Sequence, residues 1–252
     1  MEGVASVLPL KRERVVGIAL DNKEKEDLEQ TFQRLLQTEG IRSIVFLNLW
    51  DLLRARRNKE FRRWVEQASL VLPTSLGIIK GAQFLKRNLS SRWYPFDVVI
   101  RLLRLMEEKG YSLYLLGGKH LYLQQAEKNL KQTFPGLRVV GRYVGYYPEA
   151  VEQDILLAMR KASPHCLLLG PGLKGKDLWA YNRLKELPQC IVVYSPETFD
   201  IISGKKLRPP RNQIEKGVEQ VREGLRKPWR WFRGIFYLYY WILLLVYRVR
   251  KL

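Results

Sequence analysis

Seven short apolar runs alternate with amphipathic stretches along this chain, and that alternation restricts the fold more than any other feature. The runs are residues 14–20, 43–47, 69–72, 111–116, 137–140, 166–169 and 190–194. They are apolar enough to be read as strands buried on both faces rather than half-exposed ones. Between them lie helical patterns. Leu28, Phe32, Leu35 and Leu36 share one face of a helix that Asp21-Asn22 could cap. Two short basic pieces cover 49–66. Val98, Val99, Leu102, Leu103 and Met106 share a face of 96–109, and Gly110 stops it. Further helices are expected up to Leu130, over 148–161 and around Trp179. The prediction is an α/β fold: a mainly parallel sheet with helices on both faces.

A sheet of this kind binds ligands where the carboxyl ends of its strands meet helix N-termini. Those exits are Asn48, 73–77, Gly117-Gly118, 170–172 and 195–200. No complete P-loop, with Ser or Thr after its lysine, occurs, so a nucleotide site would be of another kind. At 252 residues the chain can bury one substantial core.

The charge is unevenly placed. The net charge is +19, which implies an anionic partner: nucleic acid, an acidic membrane surface or a phosphorylated substrate. Residues 204–252 hold 13 Lys/Arg against 3 Glu, about half of the excess in a fifth of the chain. Composition breaks near Arg208-Pro209-Pro210, so 1–208 reads as the α/β domain and 209–252 as a helical, basic and aromatic membrane-docking appendage. Within that appendage, Trp229, Arg230, Trp231 and Arg233 precede an uncharged run over 234–247 that includes Trp241. As a helix these 14 residues span about 21 Å, short of the roughly 30 Å hydrocarbon core. Flanking aromatics and arginines favour an interfacial, monotopic helix on anionic lipid. The bland alternative is that the run packs on the domain or on another protomer.

Cys166 and Cys190 lie in apolar runs and read as reduced core residues, and no Cys/His spacing would hold a metal. The arginines at 54, 56, 57, 62 and 63 read as a solvated helix face, and without a recognition motif no nucleic-acid partner is expected. The first residues, MEGVASVLPLKRER, lack the order of a secretory signal, so a cytosolic body is expected.

An ordered series of motifs narrows the reading. Asn48 ends one strand run, and Pro73-Thr74-Ser75-Leu76-Gly77 follows the next. Arg92-Trp93-Tyr94-Pro95-Phe96-Asp97, Leu115-Leu116-Gly117-Gly118 and Phe134-Pro135-Gly136 come after, with Gly145-Tyr146-Tyr147 beyond. Gly172 with Lys176-Asp177-Leu178-Trp179, Phe199-Asp200 with Gly204, and Arg208 with Pro210 complete it. In order and spacing the series resembles the WecG/TagA/CpsF family of bacterial cell-envelope glycosyltransferases, from about residue 14 onward.

The resemblance implies a Rossmann-like sheet and an inverting, metal-independent transferase. It would move N-acetylmannosamine or a related sugar from a UDP donor to a polyprenyl-diphosphate-linked acceptor. No cofactor is implied beyond that donor substrate. The implied place is the cytoplasmic face of the bacterial inner membrane, held peripherally, and a homo- or hetero-oligomer is compatible. Substrate contacts would fall on Asn48, Ser75, Arg92, Asp97, Gly117, Gly118, Gly172 and Lys176. Arg222, Arg226, Arg230, Arg233, Trp229, Trp231 and Trp241 would face the acceptor and the membrane.

The catalytic centre departs from the family pattern. Inversion needs a carboxylate to deprotonate the acceptor hydroxyl. The family's aspartate position holds Thr74, and the upstream threonine position holds Phe46. A threonine hydroxyl is no base near neutral pH. Asp177 and Asp200, then Asp97 and Glu197, are the replacement carboxylates at strand exits; the bland reading of each is a helix cap or ion-pair partner. The rival function is a catalytically degenerate member acting as a membrane-docked scaffold or subunit.

Overall fold

The computed structural model describes residues 12–24, 26–89, 91–216 and 233–250. Among the described residues eight strands are present: β1 Arg12–Val15, β2 Ile18–Asp21, β3 Arg42–Leu47, β4 Leu70–Pro73, β5 Ser112–Leu116, β6 Arg138–Tyr143, β7 Cys166–Leu169 and β8 Ile191–Tyr194. Six of the seven predicted runs form one sheet, in the order β4-β3-β8-β7-β5-β6. Every pairing in it is parallel.

The first run behaves differently. Val16 and Gly17 both take left-handed φ values, 44° and 86°, so the chain reverses there and β1 pairs antiparallel with β2. A Val-Gly turn lacks the usual Asn-Gly or Asp-Gly signal, which is why the run reads as one strand. Asp21 consequently does not cap a helix. It is fully buried, accepting from the Val71 N–H at 2.6 Å and pairing with Arg12 at 3.1 Å. These bonds fasten the hairpin to β4, while burial still pushes the Asp21 carboxyl above its ordinary range.

The helices are α1 Asp27–Gln37, α2 Leu49–Arg57, α3 Lys59–Gln67, α4 Leu76–Phe84, α5 Pro95–Glu108, α6 His120–Thr133, α7 Glu152–Ala162, α8 Pro196–Ile202, α9 Arg211–Lys216 and α10 Arg233–Val249. They cover both sheet faces because successive strand residues point to opposite sides. Ile44 and Leu72 pack with Leu28, Phe32, Leu102 and Met106 of α1 and α5. On the other face, Val45, Leu47 and Val71 pack with the hairpin and with α2, α3 and α4. Two helices, α4 and α8, have no counterpart in the periodicity. The sequence of α4, LGIIKGAQF, is apolar nearly all round and holds two glycines, so it shows little amphipathic period. The helix expected around Trp179 is instead two short 3₁₀ turns, Lys176–Leu178 and Tyr181–Arg183.

The uncharged C-terminal run lies in α10, which packs one face on the domain. Tyr240 and Leu244 are 1% and 0% exposed, and the Tyr240 hydroxyl donates to the Gly77 carbonyl at 3.2 Å. Gly81 makes the seat: a β-carbon there would lie 1.9 Å from the Tyr240 hydroxyl oxygen. The other face is apolar and exposed, with Leu238 at 63%, Ile242 at 50% and Leu245 at 53%. Among the described residues no helix is long and apolar enough to cross a membrane.

Candidate active site

Three neighbouring strand exits, those of β4, β3 and β8, open into a cavity of about 940 Å³. β3 leads to β4 on one side, while β8 is reached from β7 on the other, which is the topological setting of a ligand crevice. Each exit is held by local hydrogen bonds. Asn48 is extended, and its carboxamide oxygen accepts from the Trp50 and Asp51 N–H groups at 2.8 and 3.1 Å, capping α2. The Thr74 N–H donates to the Leu47 carbonyl at 2.8 Å, which fixes the β4 exit beside that of β3. At the β8 exit the Ser195 hydroxyl donates to Thr198 at 2.7 Å. The segment after α8 closes another wall with Lys206, Arg208, Pro210 and Gln213.

Charge on this cavity is mixed. The cations are Arg54, Arg92, Lys176, Lys206 and Arg208, and the carboxylates are Asp51, Asp177 and Glu197. Arg54 pairs with Asp177 at 2.6 Å and Lys206 with Glu197 at 2.7 Å. Arg92 donates to the Thr74 carbonyl at 2.8 Å and to the Ile214 carbonyl at 2.6 Å, tying the β4 exit to α9. Burial pulls Arg92 below the ordinary guanidinium range. Asp51 is pushed up to about 6, first by burial and then by the neighbouring Asp177 charge. Burial likewise pushes Tyr194 up to about 12. Lys176 has a φ of 53°, a left-handed conformation that strains a residue with a side chain.

The cavity brings together several residues singled out from the sequence: Asn48, Thr74, Arg92, Lys176, Asp177, Phe46 and Glu197. Others lie elsewhere. Ser75 is buried and caps α4 by accepting from the Gly77 N–H at 3.3 Å. Asp97, in the first turn of α5, pairs with Arg208 beside the cavity. Asp200 is occupied by Lys205, both carboxylate oxygens at 3.0 Å. The Gly117 and Gly118 N–H groups already donate to the Tyr143 and Pro171 carbonyls, at 3.0 and 2.7 Å, so neither is offered to a phosphate. A β-carbon at Gly172 would meet the Tyr146 ring at 2.7 Å, so this glycine admits a close packing contact. Trp241 is half-exposed on α10 and meets Phe84 edge-on at 5.7 Å. The backbone of Arg233 opens α10, while Arg222, Arg226, Arg230, Trp229 and Trp231 lie outside the described residues.

Sequence reasoning missed Asp51, Arg54 and Trp50. Asn48-x-x-Asp51 carries a capping-box signal at a strand exit, which could have pointed to Asp51. Trp50 lines the cavity and also meets Phe236 of α10 edge-on at 4.9 Å, so the C-terminal helix begins beside the cavity.

Such a site has guanidinium and ammonium groups suited to a diphosphate, a carboxylate that burial holds above its ordinary range, and room for a nucleotide and a sugar. The chain is similar to an N-acetylglucosaminyldiphosphoundecaprenol N-acetyl-β-D-mannosaminyltransferase of Bacillus subtilis, 21% identical over 216 residues, which cover 85% of this chain and 80% of that one. The protein of the same name from Bacillus spizizenii is 23% identical over 180 residues, 71% of this chain and 69% of that one. One from Staphylococcus aureus is 17% identical over 213 residues, 84% of this chain and 83% of that one. Residues 13–252 match the Glycosyl transferase WecG/TagA/CpsF family, and with nearly its whole length matched the chain belongs to that family of enzymes.

Proposed function

We propose that the protein transfers an N-acetylmannosamine-type sugar from a UDP donor to a polyprenyl-diphosphate-linked acceptor, with inversion and without a metal, on the cytoplasmic face of the bacterial inner membrane. The observation that carries this reading is the cavity at the β4, β3 and β8 exits, where Arg92, Lys176, Lys206 and Arg208 surround polar strand ends. In a crevice partly shielded from water these cations would stabilise the charge that develops on the departing UDP. The names of the relatives support the sugar and the lipid-linked acceptor. Trp50 gives the acceptor a route: it joins the cavity to α10, whose outer face is apolar and whose last turn carries Arg248, with Arg250 just beyond. That face would rest on anionic lipid and bring the acceptor's diphosphate to the crevice.

The test is turnover. Purified protein is incubated with a panel of UDP-sugars and a short-chain polyprenyl-diphosphate-linked N-acetylglucosamine, and the lipid product is read by mass spectrometry. One donor should give a lipid-linked disaccharide of inverted anomeric configuration, at a rate unchanged by chelator. No product and no UDP-sugar binding across the panel would defeat the proposal. For docking, the Trp241→Glu, Ile242→Glu and Leu245→Glu triple variant should stay in solution when the wild type floats with anionic liposomes. Equal flotation would remove α10 as the anchor.

A further inference from the structure

The family's base position is a threonine here, so the proton of the acceptor hydroxyl needs another destination. Three carboxylates line the cavity, and two are already committed: Asp177 to Arg54 at 2.6 Å, and Glu197 to Lys206 at 2.7 Å. A carboxylate bound to a cation is a weakened base. Asp51 differs from both: among the described residues no cation stands at ion-pair distance from its carboxylate, and Arg54, paired with Asp177, attracts it only from farther away. It sits in the first turn of α2, three residues after the Asn48 cap, on the wall of the cavity. Its oxygens line the cavity wall and carry lone pairs that can accept a proton from a bound hydroxyl.

We infer that Asp51 is the general base of the transfer, replacing the aspartate that position 74 lacks. This rests on the glycosyl-transfer reading above. In the step, the acceptor oxygen forms its bond to the anomeric carbon while Asp51 takes the hydroxyl proton. The bond from that carbon to the UDP oxygen breaks, and its electron pair leaves on UDP. Asp51 then returns the proton to solvent, so an acceptor alcohol and a UDP-sugar become a glycoside, UDP and a proton. Burial and the Asp177 charge place Asp51 near 6, where a base is mostly ionised at neutral pH yet still holds a proton well. A purely structural role predicts something else. As a capping-box residue, Asp51 would matter for the stability of α2 and not for the protonation step.

The two roles separate in Asp51→Asn, which keeps the size and an oxygen of the side chain but cannot take a proton. In the turnover assay kcat should fall about 10²–10⁴-fold, with the donor KM nearly unchanged. The melting temperature should hold or rise, because a desolvated charge is removed. Asp51→Glu, which keeps a carboxylate, should retain more activity than Asp51→Asn. Wild-type kcat/KM should fall on the acid side with an apparent pKa near 6, and Asp51→Asn should lose that limb. An active wild type with Asp51→Asn of similar kcat would overturn the assignment and leave the transferase reading standing. Equal losses in both variants together with a lowered melting temperature would overturn it in favour of the cap. A wild type without turnover on any donor overturns both readings.

Discussion

The two halves of the sheet's carboxyl edge were built differently from similar-looking turns. On the β7-β5-β6 half the glycines close the edge. A β-carbon at Gly117 would lie 2.5 Å from the Gly170 backbone, and one at Gly118 or Gly170 would strike the Phe199 ring at 2.7 or 2.6 Å. The turns press together and spend their N–H groups on one another, as in Gly145 N–H to the Gly118 carbonyl at 2.8 Å. On the β4-β3-β8 half the exits carry Asn48, Thr74 and Ser195, and the cavity lies there. A glycine-rich strand exit is therefore no sign of a phosphate cradle until its amides are accounted for.

The largest test of this contrast is Gly117→Ala. At φ 143° a side chain is strained, and the β-carbon also meets backbone that cannot swing away. Strain and overpacking together should cost about 3–5 kcal/mol in denaturant unfolding. Donor affinity of the protein that remains folded should be unchanged. A large loss of donor affinity with intact stability would instead restore the glycine turn as a ligand site.

Next in size is the seat of α10, which lies beside the open half. Leu244→Ala removes a fully buried side chain and should cost about 2–3 kcal/mol. If α10 instead melts away from the domain by itself, global stability will barely change while hydrogen exchange over 233–249 rises sharply. That result would make the helix a detachable element.

A smaller effect is the pH response of the open half. The folded-state value of Asp51, about 6, lies above its ordinary 3.8, so the folded chain holds this proton more tightly than the unfolded one. Its contribution to stability is therefore greatest below about 4 and is lost as pH rises to about 6. Activity should move the opposite way, falling about tenfold per pH unit below 6 as Asp51 becomes protonated. Unfolding and turnover followed across pH 4–7 should cross in this manner. The comparison with Asp51→Asn isolates the contribution of this residue, since other carboxylates titrate in the same range.

How much of this was legible in the sequence depends on the distance over which each feature is determined. The inner strands announced themselves because a buried parallel strand must be apolar over its own few residues, whereas β6, half-exposed at the sheet edge, showed only the apolar start of its run. The hairpin did not, since its reversal depends on two backbone dihedrals at Val16-Gly17, which are not a typical turn pair. Asn48, Thr74, Arg92, Lys176 and Asp177 could be singled out by position in an ordered series of motifs, and they do meet in the cavity. Asp51 was legible only as the acid three residues after a strand-exit cap, because its lack of an ion pair depends on Arg54 pairing with Asp177, 123 residues away. The α10 seat was illegible for the same reason, since 14 uncharged residues look alike whether a bilayer or Gly81 receives them.

The smallest expected effect is the most specific to the open half. Lys176 follows Gly175 and takes φ 53°, where glycine would be at ease. A sequence selected for stability alone would be served better by glycine there, so Lys176→Gly should raise stability by about 0.5–1 kcal/mol through release of strain, offset in part by the greater freedom of the unfolded chain. The ammonium at the cavity should be what the strain maintains. The same substitution should then raise the donor KM about tenfold, near 1.4 kcal/mol, with kcat less affected. The glycine half offers no such trade, because there a substitution away from glycine lowers stability without touching the donor. A Lys176→Gly variant that gains stability and loses no affinity would show the lysine to be a strained bystander, and would shift the phosphate contact to Arg92, Lys206 and Arg208.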